Sequence, residues 1–304
     1  MQRLNRALRF IDLNFRMAQK YEALQKPWMH LSLGGGLLTL LVLLPLGILI
    51  RWLGAWPIVW VLIGLIVLVY LWGLLVLGEI TSLRTAQIFA DLIQDDPHTA
   101  FDDASMAVYG AYAFDMLKYV LAAPGLSLLI RFQELFGDVS QARSGWKRAH
   151  PLIPPILALE DVDLRDAIEK IKGMIADNLL RFQPGYIPVA RVSRVVGSGS
   201  ILIGLIAGAF LAARIGDPLF AASWRSVLAV SAGLAAAGIL SLAGIAFSTY
   251  FRTCYHTALY CWALKVQAAR QGTGDGMAAP PEILSQVMGN QPKDGKEGSD
   301  ATKT

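Results

Sequence analysis

The chain has 304 residues, a net charge of +4, 55% hydrophobic residues and only 16% charged ones. A soluble globular protein carries about 25% charged residues, and here the deficit is concentrated in four apolar runs, which excludes an ordinary soluble domain. With two cysteines and no broad basic excess, the composition also excludes a disulfide scaffold and a nucleic-acid-binding surface.

Residues 1–30 predict an amphipathic N-terminal helix. Leu4, Leu8, Ile11 and Phe15 recur at helical spacing, while Arg3, Arg6, Arg9, Arg16 and Lys20 occupy the rest of the wheel. Two positions fit such a helix: lying on anionic lipid, or packed on the protein's own polar middle. It is not a secretory leader, because about 30 polar and amphipathic residues precede the first apolar run and no small-residue cleavage site follows a short basic start.

A first transmembrane hairpin is expected over 31–78. Its runs, Leu31–Ile50 and Pro57–Gly78, hold no Asp, Glu, Lys, Arg or His. Each is near the ~20 residues that a helix needs to cross a bilayer. Gly34, Gly35 and Gly36 open the first run, and Pro57 stands at the start of the second, where a missing N–H costs little.

The region 79–194 is polar and reads as a cytoplasmic or interfacial helical region. Its first helix ends at Asp95-Asp96-Pro97-His98, a helix stop and cap rather than a metal site. Within 105–132 the composition turns apolar again, broken by Pro124-Gly125 and carrying Asp115 and Lys118, which can touch at i, i+3. Charges at membrane depth are paired or functional, so Asp115 and Lys118 form a candidate intramembrane polar pair. A re-entrant or half-buried helix–break–helix element is the expectation here, with a fifth and sixth full span as the alternative. Pro151, Pro154 and Pro155 predict an irregular strip. Asp161–Phe182 then predicts an amphipathic helix on Leu164, Ile168, Ile171, Ile175, Leu179 and Phe182, with Asp161 and Asp163 as caps and Glu160 in the same role.

A second transmembrane hairpin is expected over 195–248, from the runs Val195–Ala213 and Ser226–Ser248. Gly204, Gly208 and Ala212 repeat every four residues, as do Gly233, Ala237 and Ser241, forming helix-packing stripes that let backbones approach closely in lipid. The spacing leaves open whether they pack within one chain or between two. A membrane-exit helix follows over 249–270, and the Gly-, Pro- and Lys-rich tail 271–304 predicts disorder, with a short helix at Pro280–Met288 conceivable.

Basic residues mark the cytoplasmic side. Of the 27 Lys and Arg, all but Arg51, Arg214 and Arg225 lie in 1–30, 79–194 and 249–304. The N-terminus, the middle and the C-terminus are therefore expected in the cytoplasm. Trp52, Trp56 and Trp224 sit at the two short outer turns, where interfacial aromatics belong.

No catalytic, cofactor or metal motif stands out. Gly197-Ser198-Gly199-Ser200 lacks the lysine and preceding strand of a phosphate loop. His30, His98, His150 and His256 are never two within ligand spacing. Cys254 and Cys261 would stand about 10 Å apart on a helix, too far for a disulfide. His256 falls on the opposite side of that helix from Cys254.

Three stretches resemble an uncharacterised family of bacterial multi-pass membrane proteins, related to the membrane domain beside some glycerophosphodiester phosphodiesterases. They are Leu83–Ala104, the strip from Pro151 through Asp161 to Ile168, and Ala258-Leu259-Tyr260-Cys261-Trp262-Ala263. The resemblance implies an all-α membrane bundle of about six apolar elements in the bacterial inner membrane, and no activity. The polar connection 133–150 departs from that pattern. The residues favour a non-enzymatic scaffold or accessory subunit whose partners are the lipid bilayer and a second copy or another membrane protein. A transporter or channel subunit and a membrane enzyme acting on lipid headgroups are the alternatives.

Overall fold

The computed structural model describes residues 2–53, 56–93, 117–126, 146, 149–160, 162–176, 189–215, 224–271 and 278–288. Among them every regular element is helical: α1 Gln2–Lys20, α2 Glu22–Leu53, α3 Pro57–Ile93, α4 Leu117–Leu126, a 3-10 turn His150–Leu152 leading into α5 Ile153–Leu159, α6 Leu164–Ala176, α7 Val189–Ile215, α8 Trp224–Gln271 and α9 Glu282–Met288. The protein is an all-α membrane bundle. Pro57–Ile93, Val189–Phe210 and Ser231–Arg270 are each long and apolar enough to cross a bilayer, and α2 carries the remaining apolar run, Leu31–Ile50.

Length sets the architecture. The 48 residues of α8 reach roughly 70 Å at ~1.5 Å each, more than twice a hydrocarbon core of about 30 Å. The 37 residues of α3 also overrun it. Both helices continue past their apolar runs, and the burial of α3 inverts where it does. Along the run of α3, large apolar side chains face outward, Val61 at 71% exposure; beyond it Leu83, Ala86, Phe89 and Ala90 are buried. Apolar groups that face lipid within the span face protein beyond it, as they must once water replaces hydrocarbon.

Contacts fix the directions. Thr39 of α2 hydrogen-bonds Tyr70 of α3 at 2.6 Å, and also donates to the Gly35 carbonyl at 2.7 Å. Gly35 lies against Leu242 and Leu74, while Gly238 lies against Thr39. So α2 runs antiparallel to both α3 and α8, and these two emerge together on one face. There they enter a helical layer with two cores. One joins Phe10 and Leu24, Phe89, Val189, Tyr250, Phe251, Tyr255 and Ala258 to Ile283, Leu284 and Val287 of α9. The other joins Leu83, Tyr119, Val120, Ile153, Ile156, Ile171 and Met174 to Tyr260, Ala263 and Val266. Helix α8 passes between them, with Trp262 against both.

Three expectations change in the layer. The prolines at 151–155 do not prevent helix: Pro151 stands in the 3-10 turn, and Pro154 and Pro155 in the first turn of α5, where N–H groups have no intrahelical partner. The buried stripe of α6 is Ala167, Ile171 and Met174, with Leu164 and Ile168 at its flank. Its cap is Asp163, whose Oδ1 accepts the Asp166 N–H at 2.7 Å; Asp161, Leu179, Phe182 and the side chain of Ile175 lie outside the described residues. The tail is not wholly disordered, because α9 docks its apolar side and the Trp262 indole donates to the Ala278 carbonyl at 2.9 Å.

The small-residue stripes meet within one chain, along the antiparallel seam of α7 and α8. A Cβ at Gly204 would stand 2.8 Å from the Ala237 carbonyl oxygen and 3.2 Å from the Ser241 hydroxyl; one at Gly208 would collide with the Gly233 carbonyl. The side chain of Ala212 lies outside the described residues. Gly208→Val and Gly204→Val should each cost about 1–3 kcal/mol through overpacking. Gly64→Ala, with open space around the site, should be neutral. Thermal unfolding in detergent, read by dye labelling of the buried thiols Cys254 and Cys261, checks both.

Candidate functional site

Glu79 is the first acidic or basic residue of α3, directly after 22 uncharged residues. That places a carboxylate where hydrocarbon gives way to the layer. Its side chain is only 14% exposed, and a carboxylate so shielded needs partners. Two different elements supply them. The Tyr119 hydroxyl of α4 donates to Oε2 at 2.8 Å, and the His150 ring meets Oε1 through Nε2 at 3.1 Å. An ionised carboxylate offers only lone pairs, so His150 carries its hydrogen on Nε2. The imidazole is itself 16% exposed, with the Trp146 ring 5.0 Å away and the Tyr119 ring 6.3 Å away. The positive charge of Arg252, on α8, reaches both Glu79 and Tyr119.

Burial and the adjacent carboxylate push the Tyr119 phenol well above its ordinary value. It therefore remains a neutral donor throughout the physiological range. Its position also locates α4. Tyr119 reaches Glu79, while a Cβ on Gly125 would lie 2.9 Å from the Trp72 ring. Trp72 is seven residues back along α3, so α4 runs antiparallel to α3 from the layer toward membrane depth.

A second cluster closes the corner between α5 and α6. Glu160 binds the Lys170 ammonium through both oxygens and accepts the Tyr260 hydroxyl of α8. The Glu160 side chain is thus a clasp, while its backbone N–H donates to the Ile156 carbonyl at 2.9 Å and caps the end of α5. His256 is half-buried on α8, and its Nδ1 donates to the Arg252 carbonyl at 2.7 Å. Arg252, His256 and Tyr260 form an i, i+4, i+8 stripe along one face of α8. At one end of the stripe the charge of Arg252 reaches Glu79, and at the other the Tyr260 hydroxyl donates to Glu160.

The predicted pair is not this site. Asp115 lies outside the described residues, as does His98. Lys118 lies on the exposed side of α4, next to Tyr119 on the buried side. Sequence reasoning passed over Glu79 as the start of a polar helix, and set His150 and His256 aside because no second histidine lay near in sequence. The available signals were the carboxylate ending an uncharged run and the Arg-x-x-x-His-x-x-x-Tyr spacing in 252–260. Among the described residues no three His, Cys, Asp or Glu side chains gather as metal ligands, and Cys254 and Cys261 are buried free thiols. Chemically, the arrangement pairs a boundary carboxylate with an imidazole donor and a fixed phenol donor, and so holds α3, α4 and the 150 turn in one register. No family model, curated protein or solved structure matches the chain.

Glu79→Ala strands the Tyr119 and His150 donors and should cost on the order of 2–4 kcal/mol, whereas Tyr119→Phe alone should cost about 1 kcal/mol. In the Glu79→Ala background the Tyr119→Phe change should cost almost nothing, since its acceptor is gone. A double-mutant cycle measured by thermal unfolding in detergent tests this coupling.

Proposed function

We propose that the chain is a multi-pass protein of the bacterial inner membrane, with both ends and the helical layer in the cytoplasm. It acts as a non-enzymatic scaffold or accessory subunit. The observation that supports this reading most is the continuity of α8. One unbroken helix of 48 residues carries both a membrane run and the wall between the two layer cores, so the layer is held at a fixed height beside the bilayer. The polar groups at the junction are spent on one another: Glu79 on Tyr119 and His150, Glu160 on Lys170 and Tyr260. That is the chemistry of a brace. The outer face of α6 offers Arg165 and Glu169, 85% and 63% exposed, to a membrane-protein partner or a second copy.

One observation favours a second reading, a transporter or channel subunit. Helix α4 brings an apolar segment to membrane depth beside a shielded carboxylate, an arrangement that transport sites share. Loss of a measured flux in Glu79→Gln, with unchanged thermal stability, would favour it over the scaffold.

Two measurements test the proposal. Single cysteines at Ala55 and Phe220 should react with an impermeant thiol reagent in intact cells, and those at Ser140 and Asn290 only after lysis; the reverse pattern defeats the layout. A photocrosslinking residue at Arg165 or Lys172 should give one discrete adduct with a membrane protein or a second copy. That adduct should weaken severalfold in Glu160→Ala, which releases α6 from α8. A purified chain that stays monomeric and yields no adduct from any exposed α6 position would end the scaffold reading.

A further inference from the structure

Helix α1 has an apolar arc wider than the protein uses. At ~100° per residue, Ala7, Phe10, Asn14 and Ala18 share one stripe, and all four are buried, Phe10 edge-on to Tyr255 at 5.5 Å between ring centroids. Beside that stripe, on the same half of the wheel, run Leu4, Leu8 and Phe15, with Ile11 at the boundary. These three are 50%, 49% and 47% exposed. The remaining sector is polar: Asn5, Arg9, Asp12, Arg16 and Lys20 are all exposed. Asp12 is taken up by Arg16 at 3.0 Å, so the sector stays net basic.

The N-terminal expectation thus named a real stripe, but the protein packs on its neighbour. One shoulder of α1 is bound to the body, and the other is an apolar strip edged with arginine. The surroundings identify what covers it. The chain breaks at Tyr21, where the Gln25 amide donates to the Ala18 carbonyl at 2.7 Å and closes the end of α1. Beyond that break, α2 leads directly into the apolar run Leu31–Ile50. On its other side α1 touches α7, α8 and α9. Its core neighbours Tyr250, Phe251 and Val189 lie within a few residues of the ends of the apolar runs. The helix is therefore held at the level where the bilayer surface lies.

We infer that α1 is an interfacial anchor: Leu4, Leu8 and Phe15 enter the acyl–headgroup boundary, and Arg9, Arg16 and Lys20 bind anionic phospholipid headgroups. Net hydrophobicity is low and the polar sector basic, the combination that keeps a helix in the interface plane rather than across it. The occupant is the anionic leaflet that the chain's own spans already cross, so the ligand is present wherever the protein is inserted.

The test uses the full chain in a Cys254→Ala/Cys261→Ala background, spin-labelled singly at Leu8, Phe15 or Arg9 and reconstituted in vesicles. In phosphatidylglycerol-containing vesicles, the ratio of oxygen to water-soluble nickel-chelate accessibility should be several-fold higher at Leu8 and Phe15 than at Arg9. It should fall toward the Arg9 value in pure phosphatidylcholine and in Arg9→Gln/Arg16→Gln. Equal ratios at Leu8 and Arg9 in the anionic vesicles would overturn the anchor and leave the strip to a partner protein. Spin–spin broadening at Leu8 would assign it to a second copy and also overturn it. Identical ratios in both lipids would overturn the headgroup preference. Labelled variants should unfold at the parent temperature, which separates these outcomes from misfolding.

Discussion

A carboxylate one residue beyond an uncharged run of 22 has no good place to be except where partners are built around it. Hydrocarbon does not solvate it, and the interface around Glu79 leaves it only 14% exposed. The chain meets that constraint by bringing Tyr119 and His150, 40 and 71 residues away, onto the two oxygens of one side chain. Much of the layer's arrangement follows. Helix α4 is set antiparallel to α3, the turn at His150 is pinned at the same level, and α5 and α6 extend from that turn toward α8. A second carboxylate, Glu160, repeats the device at the far corner with Lys170 and Tyr260. Tyr260 thereby ties α8 to that corner, while the charge of Arg252, two turns earlier on the same face, reaches Glu79.

Within the membrane runs the rule is different, because burial from water no longer rewards association. Close approach does. The α7–α8 seam is built on glycines whose missing Cβ atoms make room for facing carbonyls, Gly204 against Ala237 and Gly208 against Gly233. The α2–α3 contact adds a hydrogen bond, Thr39 to Tyr70, where an unpaired hydroxyl would be costly. The protein thus uses van der Waals seams in lipid and charged clasps at its edge. The long helices α3 and α8 join the two regimes without a hinge.

Much of this was legible in the residues. Three helices long and apolar enough to span, the proline start of α3, the Asp163 cap and the Gly204–Gly208 stripe each rest on local chemistry, and each appears in the structure where the sequence places it. On α6 the periodicity found Ile171, which is buried, but missed Ala167 and Met174 beside it, because it ranks residues by apolarity and passes over small or flexible ones. For the N-terminal helix the periodicity found Leu4, Leu8, Ile11 and Phe15 but not the adjacent buried stripe, because Phe10 follows Arg9 in sequence and only the fold brings Tyr255 to receive it. The prolines at 151–155 were read as breakers because their position relative to a helix start depends on where the 3-10 turn falls. Glu79, His150 and Tyr119 could not be grouped at all: nothing local marks three residues so far apart as neighbours.

By itself, the sequence determined that the chain is helical and membrane-embedded, which segments are apolar enough to span, and where basic residues gather. Those properties are sums over adjacent residues, and lipid acts on each segment separately. Only the tertiary structure decided which polar groups meet at the membrane boundary, which shoulder of α1 is used by the protein, and that the small-residue stripes face each other in one chain. These are properties of pairs distant in sequence. Each pairing is selected by geometry that exists only after the helices have packed.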